Sequence, residues 1–437
     1  MSVLEKLLLL IAVVEIPLQL DTHLFYQEAD AQYGAVAGVN VSLTTFCLLG
    51  LYTCWLSQSA VEPSMRRTRW ASNGPLVAYL MIVALSIIVA QDKALTLFRV
   101  ALLVQSFALF FYVSNRVRAQ GDALFLGYAV AASLLLQSLL ILATRYVLGA
   151  RSLGPLDLEM LEDLRPGGTM ASPVVAGSVL ALLTPVAVAM VSLPLPRKHR
   201  IGFAATAALA VLAVVVTQTR GAIISLGASS LLLGGGLWRR GWLPRWTPAA
   251  ALAVGLIASI PLSQMVHKRL TDGDAGSARA RIHLSQIAAD TIEDGILFGH
   301  GAGNCHLAML SRANSGQFRS EWFYSVHCKY LLVWVETGLI GLAAFLCFML
   351  SIVLRGLRGW KAADRVLSPL ALACAAAIVG QMIHMTVDTF NSRIQVQTLW
   401  LAAGLVTSID AALVTARRPL RAPRHEASFA KGMAHVG

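Results

Sequence analysis

Two residues, Arg220 and His327, lie where apolar segments begin and carry side chains that can do chemistry. Arg220 falls in VVVTQTRGAIISL, between two apolar segments that are joined by almost no loop. A guanidinium fixed at a membrane edge can grip a phosphate or pyrophosphate through two parallel hydrogen bonds. The alternative is that Arg220 only extends to lipid phosphates, as long basic side chains near helix ends do.

His327 lies in YSVHCKYLLVWVETGLIG, at the mouth of a long apolar segment. Its spacing to Tyr330 and Trp334 predicts one shared face of a helix. An imidazole titrates near neutral pH, so a histidine beside a phosphate-binding arginine can act as a general base. The alternative is that His327 caps the helix or binds a loop carbonyl. Lys329 and Glu336 share a different face, which favours a structural role for both.

Ionisable groups inside or at the edge of apolar segments are costly and are therefore candidates for function. Six further residues are weaker candidates for contacts to a pyrophosphate or an acceptor: Arg145, Lys329, Tyr330, Arg312, Asp388 and Arg393. Arg312 belongs to a long polar segment, 263–326, that holds six basic and six acidic residues. Because that segment has no net charge, an anion site in it depends on individually placed arginines.

The elements that position these residues are membrane helices. The chain is 57% hydrophobic and only 13% charged, whereas soluble proteins are about 25% charged. Apolar runs near the span length of about 20 residues recur throughout, and they do not alternate as barrel strands do. We therefore predict an all-α integral membrane protein with about twelve spans: 3–20, 35–57, 75–91, 95–114, 123–143, 172–194, 201–218, 221–237, 247–262, 328–353, 366–387 and 394–414.

The basic residues predict the orientation of these spans. With both termini in the cytoplasm, the cytoplasmic segments hold 21 of the 35 lysines and arginines, as the positive-inside rule expects. The opposite face then carries a smaller loop at 144–171 and the large loop at 263–326, between the ninth and tenth spans. Residues 415–437 form a basic cytoplasmic tail, and 1–437 is a single polytopic domain. The net charge of +12 is thus a topology signal and an attraction to anionic membrane lipids rather than a nucleic-acid face.

Two other kinds of site are set aside on motif grounds. GHGAGN at 299–304 lacks the Gly-Lys-Ser/Thr of a phosphate-binding loop and follows no strand–helix unit. The spacing of His300, Cys305, His306, His327 and Cys328 matches no strong zinc pattern. We expect neither a metal nor another cofactor.

Three blocks resemble the O-antigen ligase and polymerase superfamily. They are TQTRGA at 217–222, RIHLSQIAADTIEDGILFGHGAGN at 281–304 and HCKYLLVWVETGLIG at 327–341, and they occur in the family's order. The correspondence covers about 205–395. Thr219 stands where the family usually has serine, and Cys328 follows the histidine where asparagine or serine is common.

The resemblance implies a GT-C-like glycosyltransferase of the bacterial inner membrane with its site at the periplasmic face. The donor would be a glycan on undecaprenyl pyrophosphate, and the acceptor a sugar hydroxyl of lipid A–core. Arg220 and Arg281 would stabilise the charge that grows on the leaving pyrophosphate. His327 would take the acceptor proton or hold a phosphate. Direct displacement with inversion is expected, because no carboxylate stands out as a nucleophile.

Other functions stay open at this stage. An O-antigen or exopolysaccharide polymerase, or a protein O-oligosaccharyltransferase, differs from a ligase only in its acceptor. A transporter of a lipid-linked glycan is the hypothesis from another class. Transporters often carry internal repeats, whereas the polar groups here gather asymmetrically around the seventh to tenth predicted spans.

Overall fold

The structure is a computed structural model that describes residues 1–61, 74–161, 163–243, 277–313 and 323–417. It is mostly helical. In chain order the helices are α1 (Val3–Glu15), α2 (Glu28–Ala31), α3 (Leu43–Val61), α4 (Gly74–Leu85), α5 (Lys93–Arg116), α6 (Gln120–Ala143), α7 (Pro173–Ser192), α8 (Arg197–Val216), α9 (Arg220–Arg239), α10 (Ser277–Asp294), α11 (Cys305–Ala313), α12 (Lys329–Trp360), α13 (Leu367–His384) and α14 (Arg393–Arg417).

Eight of the described helices are long and apolar enough to cross a membrane: α5, α6 with its π-helical extension to Leu148, α7, α8, α9, α12, α13 and α14. The chain is therefore a multi-pass membrane protein with a helical fold. These eight correspond to eight of the twelve predicted spans. The ninth predicted span, 247–262, lies outside the described residues, as do 263–276 and 314–322 of the large loop and 418–437 of the tail.

The first three predicted spans differ from the structure. The first is a helix of only 13 residues, α1, because Pro17 has no N–H to continue it and Gln19 takes a positive φ of 56°. The third is a short apolar helix, Gly74–Ile88. The second begins as a strand, so that its helix, α3, starts only at Leu43. The apolar run alone could not reveal this strand, because its partner lies upstream.

Two small antiparallel sheets interrupt the helical pattern. Strands β1 (Asp21–Leu24) and β2 (Val39–Ser42) form a two-stranded sheet in which His23 lies opposite Asn40. Strands β3 (Arg151–Leu153), β4 (Leu156–Met160) and β5 (Pro166–Gly168) form a three-stranded sheet in the order β3-β4-β5. The predicted small loop, 144–171, therefore contains a π turn, Thr144–Leu148, and this sheet.

Hydrogen bonds define one end of the helix bundle, here called the cavity end. The N–H of Lys329, at the start of α12, donates to the carbonyl of Met385, just after α13, at 2.8 Å. Arg393, at the start of α14, contacts Glu15, at the end of α1. These four helix ends therefore lie together, with the β1–β2 sheet beside them.

Ion pairs connect helices at the opposite end. Arg116, the last residue of α5, pairs with Glu5 of α1 at 2.5 Å. Arg358 of α12 lies 3.4 Å from Asp410 of α14. Each carboxylate is largely buried, which leaves it dependent on its arginine partner.

The apolar core lies between the helices of this bundle. The central helices α13 and α14 are buried along most of their length, and their core faces are rich in alanine. Small side chains allow helix backbones to approach closely, as is usual in membrane bundles. Gly380 of α13 illustrates this, because a Cβ at that position would meet the backbone and side chain of Ser225 on α9. The bundle thus brings α9 and α13 together beside the cavity end.

Helix α12 is broken at Gly338, whose φ is 67° and ψ is −174°. The loop 295–301 crosses the helix at this break. The N–H of Leu339 donates to the carbonyl of Ile296 at 2.8 Å, and the N–H of His300 donates to the carbonyl of Val335 at 2.9 Å. The broken helix therefore supplies backbone groups that hold the loop following α10.

Helix α10 has nearly the bounds that the sequence predicts, 278–294, but a different buried face. The sequence favours Ile282, Ala289 and Ile292 as its apolar side, whereas Ile282 is 60% exposed. Ile292 is buried as predicted, but Leu284 and Ala288 are buried with it in place of Ile282 and Ala289, in a small core with α11 and the start of α12. Because α10 packs on neighbouring helices, their positions decide its buried face.

Candidate functional site

A cavity of about 450 Å³ opens at the cavity end. The β1–β2 sheet and the loop between its strands contribute one part of the lining, here called the β1–β2 wall, and Arg281, Tyr324 and His327 contribute another. Its floor is the turn from α13 to α14, residues 387–395, and the start of α7 closes one side. Arg281, His327, Asp388 and Arg393, which were separate candidates in the sequence, all line this one cavity.

His327 precedes α12 by two residues, so it does not share a helical face with Tyr330 and Trp334 as predicted. Its ring lies against Tyr324, with centroids 5.1 Å apart, and Tyr324 packs on Gly34 of the β1–β2 loop. Its Nδ1 is buried without a hydrogen-bond partner among the described residues. The ring is therefore held by packing rather than by a carboxylate.

The surroundings of His327 keep it neutral. Burial, and then the positive charge of Arg281, lower the pKa of His327 from its ordinary value of 6.5 to about 4, against an opposing effect of Asp388. Arg281 lines the same cavity as His327. At neutral pH the imidazole has a free lone pair, which a general base requires.

Asp388 lies in the turn after α13. It accepts a hydrogen bond from Gln395 Nε2 at 2.6 Å, and His384 Nε2 lies 3.4 Å from its carboxylate. Burial raises the pKa of Asp388, but these neighbours outweigh burial and hold it below its usual range. Asp388 is thus an anion on the cavity floor that acts electrostatically on both histidines.

Arg393 is buried, and its guanidinium contacts two carboxylates and one side-chain amide. Its Nη2 lies 3.1 Å from Glu15 and its Nε 2.8 Å from Asp21, and Nη1 donates to Gln397 at 3.2 Å. Two anions on one guanidinium leave little positive charge for a phosphate. The geometry therefore gives Arg393 the role of anchoring α1 and β1 to α14 beneath the cavity.

Lys329 and Tyr330 also make structural contacts. Lys329 is buried, and its Nζ donates to Asn391 Oδ1 at 2.8 Å. The hydroxyl of Tyr330 donates to the carbonyl of Met382 at 2.7 Å. Neither residue lines the cavity: Lys329 connects the start of α12 to the α13–α14 turn, which carries Asp388, and Tyr330 connects it to the last turns of α13.

Arg220 is exposed at the start of α9 and does not line the cavity. It is nevertheless close, because a Cβ on the next residue, Gly221, would meet His384 and Val387, and Val387 lines the cavity. The turn before it is fixed by Arg165, whose Nε donates to the carbonyl of Thr217 at 3.0 Å. Arg220 is thus positioned at the cavity's edge.

Arg145 and Arg312 lie away from the cavity. Arg145 is in the π turn after α6 and lies over the ring of Tyr146, 5.6 Å from its centroid. Arg312, on α11, is exposed and pairs with Asp294 through a charged hydrogen bond. The structure brings neither of them to His327.

The sequence interpretation missed the β1–β2 wall, which contributes Asp21, His23, Tyr26 and Asn40 to the cavity. The signal was present in DTHLFYQEADAQYG, a polar and aromatic stretch directly after the first apolar run. Only the pairing of β1 with β2 shows that these side chains face the same space as His327.

Within the described ranges, no group of three or more His, Cys, Asp or Glu residues is placed to hold a metal ion. His306, from the zinc pattern that the sequence disfavoured, instead contacts Asp30 through Nε2 at 2.8 Å. This contact attaches the β1–β2 loop to α11.

A family model described as O-antigen ligase matches residues 205–346, a segment that contains Arg220, Arg281 and His327. No curated protein matches the chain. A solved structure described as "Structural coordination of polymerization and crosslinking by a peptidoglycan synthase complex" is similar at 15% identity and a TM-score of 0.44, covering 79% of this chain and 98% of that chain. At that TM-score the likeness carries no functional argument.

Proposed function

We propose that this protein, whose residues 205–346 belong to the O-antigen ligase superfamily, is an O-antigen ligase of the bacterial inner membrane. It transfers a glycan from undecaprenyl pyrophosphate to a sugar hydroxyl of lipid A–core at the periplasmic face. The observation that carries the proposal is the cavity that His327, whose side chain is neutral at neutral pH, shares with the cation Arg281. Family and cavity together support glycosyl transfer from a pyrophosphate carrier.

The proposed step is a direct displacement. The acceptor oxygen attacks the anomeric carbon of the donor glycan, and the bond from that carbon to the phosphate oxygen breaks. The electron pair of that bond leaves with undecaprenyl pyrophosphate, whose growing negative charge Arg281 and Arg220 stabilise. His327 accepts the proton of the acceptor hydroxyl. The anomeric centre inverts, since no enzyme carboxylate takes part as a nucleophile.

The charge distribution supports a periplasmic site. At the end opposite the cavity lie the basic residues Lys6, Arg116, Arg118, Arg197, Lys198, Arg200, Arg239, Arg240, Arg355, Arg358, Lys361 and Arg365. Basic loop residues favour the cytoplasm. The cavity end would then face the periplasm, where the carrier pyrophosphate lies at the membrane surface.

Transfer by purified protein in detergent, from a lipid-linked glycan to lipid A–core, tests the proposal. We expect transfer to continue in EDTA. Each of the single variants Arg220→Ala, Arg281→Ala and His327→Ala should have a kcat/KM that is lower by about 100-fold or more. This is the size of effect known for charge-stabilising groups and general bases. The matched control is His283→Ala, an exposed histidine on α10 that does not line the cavity.

Gene deletion separates the related functions. Long lipid-linked glycan that accumulates while lipid A–core stays bare indicates a ligase. Lipid A–core that carries a single repeat unit indicates a polymerase, and loss of glycan from a protein indicates an O-oligosaccharyltransferase. Carrier glycan trapped on the inner leaflet, together with no transfer by the purified protein, would identify a transporter and overturn the proposal.

A further inference from the structure

Asn40 lines the cavity and has an unused hydrogen-bond acceptor. It is only 7% exposed, and its Nδ2 donates to Asp21 Oδ2 at 2.8 Å. Because a carboxylate can only accept, this contact fixes which end of the amide faces Asp21. Oδ1 is left buried without a partner among the described residues, although Asn40 lines the cavity. Buried acceptors are nearly always paired in proteins, so this oxygen requires a donor.

An aromatic surface lies next to this acceptor. His23, the cross-strand neighbour of Asn40, has Nε2 3.5 Å from Asn40 Nδ2. Tyr26 lies against His23 with ring centroids 5.5 Å apart, lines the cavity and is 55% exposed. The β1–β2 wall therefore combines an open ring with a fixed amide oxygen.

This wall differs chemically from the part of the lining that holds Arg281 and His327. Asp21 and Asn40 offer acceptor oxygens, which suit hydroxyl donors and repel phosphate oxygens. The part of the lining with Arg281 and His327 suits the anion. A substrate that joins a pyrophosphate to a sugar has the same two parts, so the two parts of the lining are complementary to one molecule or to a donor and acceptor side by side.

We propose that Asn40, His23 and Tyr26 form a saccharide subsite, in which a sugar hydroxyl donates to Asn40 Oδ1 and a sugar ring lies against Tyr26. The subsite rests on the proposed function and deepens it. It takes a neutral pyranose ring, either of the carrier-linked donor glycan or of the acceptor glycan. Ligand pockets commonly combine an apolar surface with a few polar groups that fix orientation.

Kinetics of the full-length protein, with each glycan substrate varied in turn, test the subsite. We expect Asn40→Ala and Tyr26→Ala each to raise KM for one glycan by about fivefold to tenfold, the loss of one modest contact, while kcat changes little. Tyr26→Phe keeps the ring and should restore most of the affinity. The substrate whose KM rises identifies the glycan that occupies the subsite.

Thr22→Ala is the matched control. Thr22 lies between Asp21 and His23 on β1, so its side chain points to the opposite face of the strand, and it does not line the cavity. Unchanged KM values for both glycans in Asn40→Ala and Tyr26→Ala would overturn the subsite. Because Tyr26 is exposed, Tyr26→Ala tests the proposal even if Asn40→Ala fails to fold.

The same assay keeps the two proposals apart. If the wild-type protein transfers glycan and His327→Ala does not, but both subsite variants behave as wild type, then the proposed function stands and the subsite is wrong. If the wild-type protein transfers no glycan, the proposed function itself fails. In that case loss of binding of free core oligosaccharide on Tyr26→Ala, measured by saturation-transfer NMR, would still support the subsite, and equal binding would overturn it.

Discussion

His327 is the residue whose surroundings most directly affect the proposed chemistry. Its ring is packed against Tyr324, and burial together with Arg281 holds its pKa at about 4. The neutral form therefore predominates at neutral pH, and protonation removes the base only in acid. The motif itself could suggest a histidine base, but the shift in its pKa depends on neighbours from other elements.

A pH profile tests the coupling of Arg281 to His327. Since the neutral imidazole is the active form, kcat/KM should fall as pH drops through the pKa of about 4. Arg281→Gln removes a positive charge that lowers the pKa of His327. The acid limb of the remaining activity should therefore move to higher pH. The measurement is kcat/KM from about pH 3 to about pH 8.

Arg312→Gln is the control for this profile, because Arg312 is also an exposed arginine of the large loop but pairs with Asp294 away from the cavity. Its acid limb should coincide with that of the wild-type protein. An acid limb that does not move in Arg281→Gln would show that the limb does not report on His327.

At the scale of elements, the glycines of the family blocks have packing roles. Gly338 allows α12 to break where loop 295–301 crosses it, and a Cβ there would meet the backbone of Leu297. On the other side of the crossing, a Cβ at Gly299 would meet the backbone of Glu336. The second and third sequence blocks, 281–304 and 327–341, therefore pack directly against each other, which is a physical reason for their occurring together.

Gly338→Ala tests this crossing. The substitution places a side chain at a φ of 67° and against a backbone that cannot move aside, so we expect a loss of stability of several kcal/mol, about 3 or more. Gly227→Ala on α9, where a Cβ meets nothing within 4 Å, is the control and should be neutral or slightly stabilising. Thermal unfolding in detergent compares the two, and equal midpoints would contradict the assigned role.

At the scale of the whole molecule, a buried ion network connects the two ends of the chain. Arg393 of α14 holds Glu15 of α1 and Asp21 of β1. Thr44 donates its backbone N–H to the same Glu15 at 3.0 Å. The network attaches the β1–β2 sheet to α1 and α14 beside the cavity that Asn40 and His327 both line.

Glu15→Gln tests the network. Removing one partner of a buried ion pair leaves an incompletely compensated charge, which destabilises proteins by about 3 to 5 kcal/mol. Glu28→Gln, on the exposed helix α2, is the control and should change stability by less than about 0.5 kcal/mol. If Glu15→Gln unfolds at the same temperature as Glu28→Gln, then Arg393 does not depend on Glu15.

The sequence by itself determined the membrane class, most of the helices and a resemblance to the O-antigen ligase superfamily. Apolar runs of span length and the spacing within three blocks are local properties, so they can be read without a fold. Arg220, Arg281 and His327 stood out for the same reason. The apolar face of α10 and the strand before α3 could not be derived in this way, because each depends on a partner that is distant along the chain.

Only the tertiary structure decided which candidates share a space. It brought Arg281, His327 and Asp388 to one cavity, left Arg145 and Arg312 outside it, and gave Arg393 two carboxylate partners. It also added Asn40, which lies nearly 300 residues from His327 in the sequence and has no motif. The physical reason is that hydrogen bonds and charge act over a few ångströms in space, whereas residue spacing reports only on neighbours along the chain.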